Sequence, residues 1–468
     1  AEGIQAFGLA CLDLMSSTPS LCAHSIQDAV IVAASPALHF FLVSQVFATV
    51  TAPPMPNMRH VLCSLLGLKA VQCLVPQTPL ARFLPEILAL VLLFTHDTDE
   101  LLHELVHMML ANTVACWSGF KSAHLDMEDL FGVSKPTVPQ MVASVERVLQ
   151  ALAPNKDVEN HWRTVIEVRI RSAALTPDGP VQVRALNVLG FVSTPSLGHM
   201  HSVGTALLAA FQHSPEVVNA CATCLARLFV SDQAASLFWV GLSLVATGAL
   251  SGGVRLAHAA LRALPPTNDV QKTLLEARYT KAWDSGAMDR VLGVSFERDF
   301  SFACASVLRV PLWEKDLSLQ KETRALIERL IELGAPRAPN AGSPGPMGLA
   351  LLLYCTDPTE DTRESLHSAA LQNKITEISS LSIPSSAMGA ALAQSLLPND
   401  LQLQALLPLT IEHDRSRDSS SSDSSIRIPE SRPLSQLGFA GLVYKPDSDT
   451  VVTECRQWLH DLVRELAP

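Results

Sequence analysis

The chain has 468 residues, 48% of them hydrophobic and 17% charged, enough to bury a large core and too long for one compact unit. Lys and Arg total 34 against 45 Asp and Glu, a net charge of −11 with no Lys/Arg stripe, which speaks against nucleic acid as a partner. Aromatics make up 5%, and the dominance of Leu, Ala, Ser and Val favours helices packed on helices over a β-sandwich.

The chain begins with Ala1, and its first residues already read as mid-domain helix, so we expect a segment of a longer protein. No signal peptide is visible. The ten cysteines stand mostly inside apolar runs, as small hydrophobes in a reducing compartment do.

Helical stretches then alternate with short breaks rich in Pro, Gly, Ser or Asn. The breaks fall at 51–57, 76–79, 153–157, 176–180, 193–198, 213–216 and 264–269. Between them, "RFLPEILALVLLF" (82–94) and "SVERVLQALA" (144–153) space their apolar residues at three and four, a helical stripe. In "GPVQVRALNVLGFV" (179–192), Pro180 precedes a stripe expected through Val183, Leu186, Leu189 and Gly190. In "SPEVVNACATCLARLF", Ser214 predicts a cap, Pro215 a first-turn proline and Glu216 an acid matched to the helix dipole. Val183 to Val218 is 35 residues, the size of a two-helix repeat that must stack on neighbours to bury its apolar face. The predicted fold is all-α: an α-solenoid of HEAT/armadillo-like repeats over 1–333, interrupted by a Pro/Gly loop at 334–348 and continuing over 349–412. A polar Ser-rich linker at 413–433 is expected to be disordered, and a helical tail follows at 434–468.

Several stretches carry candidate chemistry. "HELVH" sets His103 and His107 one turn apart, able to face one Zn²⁺ with Glu104 as general base. The extended zinc-peptidase form fails, because Leu110 and Thr113 stand where Gly and His would be; Glu128, 21 residues after His107, is a third ligand that a second helix could supply. Asp97 and Glu100 open that stretch like a capping box and its residues are apolar nearly all round, which favours an accidental match and no bound metal or cofactor. Cys221-Ala-Thr-Cys224 lies on a predicted helix without the strand or second pair that redox or structural zinc sites need, so two core-facing thiols are expected. Residues 233–254 carry no charge, but small residues and the Gly252-Gly253 pair dilute them. They predict a buried helix and then a Gly-rich turn, not a membrane span. Phe238 and Trp239 are assigned to the core. Trp458 and Leu459, on an amphipathic terminal helix, dock either back on the body or onto a partner. Ser419, Ser420, Ser421 and Ser422 are candidate phosphorylation sites within "RSRDSSSSDSS", a solvated linker being the alternative.

Five stretches, in order, resemble the helical region of neurofibromin-type Ras GTPase-activating proteins. They are "LFGVSKPTV" (130–138), "VQVRALNVLGFVS" (181–193), "SLFWVGLSLVATGALSGGVRLAHAALRAL" (236–264), "MDRVLGVSFERDFSFACASVLR" (288–309) and "SQLGFAGLVY" (435–444). The resemblance covers roughly 85–468 with gaps and suggests a fungal relative. It implies a cytoplasmic, non-catalytic scaffold that dimerises and binds protein partners, reaching Ras, and any membrane, only through domains outside this segment. The family's arginine-finger motif and lipid module are not recognisable here, since "RFLPE" (82–86) has the wrong order, so no catalytic residue carries over. The long basic tail of animal relatives is replaced by the Ser/Asp tract, which weakens any expectation of nuclear import. A HEAT-type adaptor or transport solenoid unrelated to Ras shares the predicted fold and remains the alternative.

Overall fold

Asn155, Ser196 and Ser214, each from a break, cap the helices that follow them, and every regular element in the described part of the chain is a helix, with no strand. The computed structural model describes residues 84–94, 137–334 (with breaks at 178, 230, 265–269, 284, 293–294 and 313), 349, 353 and 449–467. The chain divides into two units, residues 1–194 and 195–468.

The first unit contains α1 (Leu84–Phe94), α2 (Val138–Leu152), α3 (Lys156–Leu175) and α4 (Gly179–Val192). Apolar apart from Glu86 in its first turn, α1 buries Leu84, Leu88 and Phe94 almost completely and packs on α3 and α4. At the start of α2 the Gln140 side chain accepts the backbone N–H of Thr137 at 2.7 Å, and at the start of α3 Asn155 Oδ1 accepts that of Val158 at 3.0 Å. Helix α3 turns Trp162, Ile166, Ile170, Ala173 and Ala174 inward at helical spacing, against α4. Arg163 ties α3 to α2 through Glu146 at 2.6 Å while also pairing with Glu159 of its own helix. The buried face of α4 differs from the expected stripe: Val181, Ala185, Leu186, Val188 and Leu189 are buried, whereas Val183 is only half-buried. The face is rotated by its neighbours α1, α2 and α3, which all press on it.

The second unit contains α5 (Leu197–Ala210), α6 (Pro215–Leu228), α7 (Ala234–Ala246), α8 (Leu250–Ala263), α9 (Val270–Tyr279), α10 (Ala287–Leu292), α11 (Phe296–Leu312), α12 (Leu317–Gly334) and α13 (Asp449–Leu466). The start of α6 is as predicted: Ser214 accepts the N–H of Val217, Pro215 occupies the first turn and Glu216 sits beside the helix N-terminus. At the centre lies α7, surrounded by α8, α9, α11 and α13, with Leu237 to Ala246 wholly buried. It has 13 residues, and no helix among the described residues is long and apolar enough to cross a membrane.

The Gly-rich turn after α7 is shorter than expected. Only Gly248 adopts a left-handed conformation, at φ +96°, where its N–H bonds to Val245 and that of Ala249 reaches back to Leu244 at 2.9 Å. Gly252 and Gly253 are instead inside α8, where they permit close approach. A Cβ on Gly253 would lie 2.7 Å from the carbonyl oxygen of Gly241, and one on Gly241 only 2.6 Å from the backbone nitrogen of Ala257. On the other side of α8, Gly252 meets α6, donating its N–H to Asn219 Oδ1 at 2.8 Å. Sequence periodicity cannot distinguish a glycine that turns the chain from one that lets two backbones touch.

Candidate functional site: a buried arginine beneath the terminal helix

The terminal helix α13 rests on α5, α7 and α10, elements far earlier in the chain. Its inward face reads Val451, Glu454, Cys455, Trp458, Leu459, Asp461, Leu462 and Leu466, an apolar stripe at spacings of three and four with two carboxylates set into it. Trp458 and Leu459 are fully buried, so the terminal helix docks back on the body. The indole of Trp458 stacks on that of Trp239 at 6.2 Å and meets Trp283 edge-on at 5.2 Å. Trp239 contacts Phe296 in the same way at 5.0 Å, and its ring N–H donates to the carbonyl of Leu274 at 2.7 Å.

Arg278, from the last turn of α9, lies within this aromatic cluster. Its side chain is 0% exposed, and its Cζ stands 4.6 Å from the ring centre of Trp239 and 4.7 Å from that of Phe296. Nη2 donates to Asp289 Oδ1 at 2.9 Å and lies 2.8 Å from Glu454 Oε1, an ion pair without hydrogen-bond alignment. Among the described residues its Nε and Nη1 have no hydrogen-bond partner, and the aromatic faces supply the negative potential around them. Asp289 also accepts from the Tyr279 hydroxyl at 2.8 Å and from the N–H of Phe296 at 3.2 Å. Burial, then that bond to a carboxylate, pushes the Tyr279 hydroxyl up to about 12. The Glu454 Oε2 accepts the N–H of Met288, at the start of α10. Burial raises the Glu454 carboxyl above the ordinary carboxylate range, and the Arg278 charge pulls it part of the way back.

A polar rim surrounds this inner cluster. Lys281 pairs with Glu465 at 2.6 Å and with Asp461 at 3.6 Å, and its ammonium sits 5.2 Å from the ring centre of Trp458. Asp461 accepts the ring N–H of Trp283 at 2.8 Å and pairs with Arg464 at 2.7 Å. The acids of α13 thus meet the cations and indole donors of residues 278–283. This arrangement joins one helix to a body; Arg278 and Glu454 are shut away from any solvent-borne substrate.

Of the residues singled out in the sequence, Cys221 and Cys224 are buried thiols on α6, and burial pushes the Cys221 thiol up. Phe238 and Trp239 are fully buried. His103, Glu104, His107 and Ser419 to Ser422 lie outside the described residues. Among the described residues no group of three His, Cys, Asp or Glu side chains is placed to hold a metal ion. The sequence did not single out Arg278, Asp289 or Glu454. The available signal was Glu454 itself, a carboxylate in register with Val451, Cys455 and Trp458. No protein-family model matches the chain, and no curated protein matches it.

Proposed function

We propose that this chain is a non-catalytic helical scaffold that binds protein partners. The observation that carries the reading is how its buried polar groups are used. Arg278, Asp289, Glu454 and Asn219 each tie one helix to another, so these polar groups go into holding a surface in shape. The stacking of helical repeats into a solenoid, with faces offered to a second copy of the chain, belongs to the same proposal.

The more specific proposal places this scaffold in the cytoplasm, within a neurofibromin-like Ras GTPase-activating protein. It rests on the five ordered sequence stretches alone. In that setting the segment would serve dimerisation and partner binding, and GTPase activation would come from domains outside it. The test is a Ras GTP-hydrolysis assay with the purified chain, alongside its sedimentation behaviour. A self-associating chain with no effect on hydrolysis is expected. Clear stimulation of hydrolysis, or stoichiometric zinc that is lost on His103→Ala, would overturn the scaffold reading.

A further inference from the structure

Two carboxylates, Asp289 on α10 and Glu454 on α13, share the single guanidinium of Arg278. The side chains of Arg278 and Glu454 are 0% exposed and that of Asp289 is 13% exposed. With all three ionised, the cluster would hold one net negative charge beneath the rings of Trp239, Phe296 and Trp458, a costly arrangement in a dry interior. The two acids are not equivalent. Asp289 accepts aligned hydrogen bonds from Arg278, Tyr279 and the Phe296 N–H, whereas Glu454 accepts the N–H of Met288 at Oε2 and has no aligned donor at Oε1 among the described residues, the Trp458 side chain being the weakest of the groups that favour its charged form.

Among the described residues, Arg278 is the cation that acts on the Glu454 carboxyl. Helix α7 carries no charged side chain, α5 carries His199 and His201, and α10 carries Arg290 besides Asp289. Lys281 is engaged with Asp461 and Glu465. On α13 itself stand Asp449, Arg456, His460, Asp461, Arg464 and Glu465.

We propose that the seating of α13 on the second unit takes up one proton at Glu454, so that acid tightens the terminal helix and alkali loosens it. The raised Glu454 carboxyl sets the sign. A carboxyl that binds its proton more tightly when buried than when released stabilises the docked state fully below its free value of 4.5. That stabilisation is lost as pH rises through the elevated value of the docked state. Within this window one proton is released per opening, so protection of α13 falls about tenfold for each pH unit.

Hydrogen exchange on the full chain tests this, read on peptides from 449–466 across pH of about 5 to 8 and corrected for intrinsic exchange, with α3 of the other unit as reference. The expected result is a fall in α13 protection with rising pH that Glu454→Gln abolishes. A wild-type profile that follows the reference, or the same slope retained in Glu454→Gln, overturns the proposal. Should that variant not fold, Asp289→Asn decides. With the competing carboxylate gone, the step must move to lower pH, and an unmoved step is equally fatal.

Discussion

The indoles of Trp239 and Trp458 lie 16° from parallel with their centres 6.2 Å apart, one on the central helix α7 and the other on the last helix of the chain. Neither ring touches solvent. This contact makes residues 449–466 part of the second unit's core, and the consequence is measurable. Trp458→Ala removes a fully buried indole from between Trp239 and Trp283, and a cavity of this kind costs about 3–5 kcal/mol. Chemical denaturation of the second unit should shift by that amount, and proteolysis should cut within 449–466 first. Trp458→Phe, which retains part of the stack, should lose less.

Arg278 has a sharper signature, because its removal strands two acids. In Arg278→Met the side chain still fills its slot between Trp239 and Phe296, but Asp289 and Glu454 lose their shared cation. Breaking a buried pair from one side costs about 3–5 kcal/mol, whereas replacing all partners by neutral groups of similar shape is often close to neutral. The triple change Arg278→Met, Asp289→Asn, Glu454→Gln should therefore be more stable than Arg278→Met alone. Thermal unfolding of the two proteins settles the comparison. A triple variant less stable than the single one would mean that the ion pairs themselves supply the stability.

Much of the helical framework was legible from single residues. Ser214, Pro215 and Glu216 mark the start of α6 because capping, proline geometry and dipole matching are local effects that need no tertiary partner. Phe238 and Trp239 could be assigned to the core because their helix has no polar face. The stripe on α4 was misplaced toward Val183 because a helix pressed by several neighbours buries more than one stripe, and sequence does not say which neighbour arrives where. The arginine cluster was hidden for a related reason. Glu454 stands on the apolar stripe of its helix, but nothing in the sequence names Arg278 as its partner, and only the return of α13 to α7 and α10 brings the two together.

The glycines of the second unit separate into three kinds. Gly253→Ala would drive a Cβ into the backbone of α7, with obstacles at 2.7 and 2.8 Å that no rotamer change removes. We expect a loss of about 1–3 kcal/mol, the range for overpacking, or more. Gly248→Ala meets no atom within 4 Å but holds φ at +96°, so its cost is conformational, about 1 kcal/mol. Gly198→Ala in α5 meets neither obstacle and should stabilise by up to about 1 kcal/mol through helix propensity. Equilibrium unfolding of the three variants should rank them in that order, and equal costs would contradict the close crossing of α7 and α8.

Thiol chemistry gives the last test, and it reads the same packing from another direction. Cys221, Cys304 and Cys455 are fully buried, and burial pushes all three thiols up, so neither access nor thiolate is available in the native state. A disulfide reagent should modify them only as fast as the protein opens. Cys455 should respond differently from Cys221, because it reports release of α13 whereas Cys221 reports opening of α6. In Trp458→Ala, labelling of Cys455 should accelerate strongly while that of Cys221 changes less, as identified by mass spectrometry of the modified peptides. Rapid labelling of Cys455 in the unmodified protein would show that the terminal helix spends much of its time off the body. The stack of Trp458 on Trp239 would then contribute little to holding it.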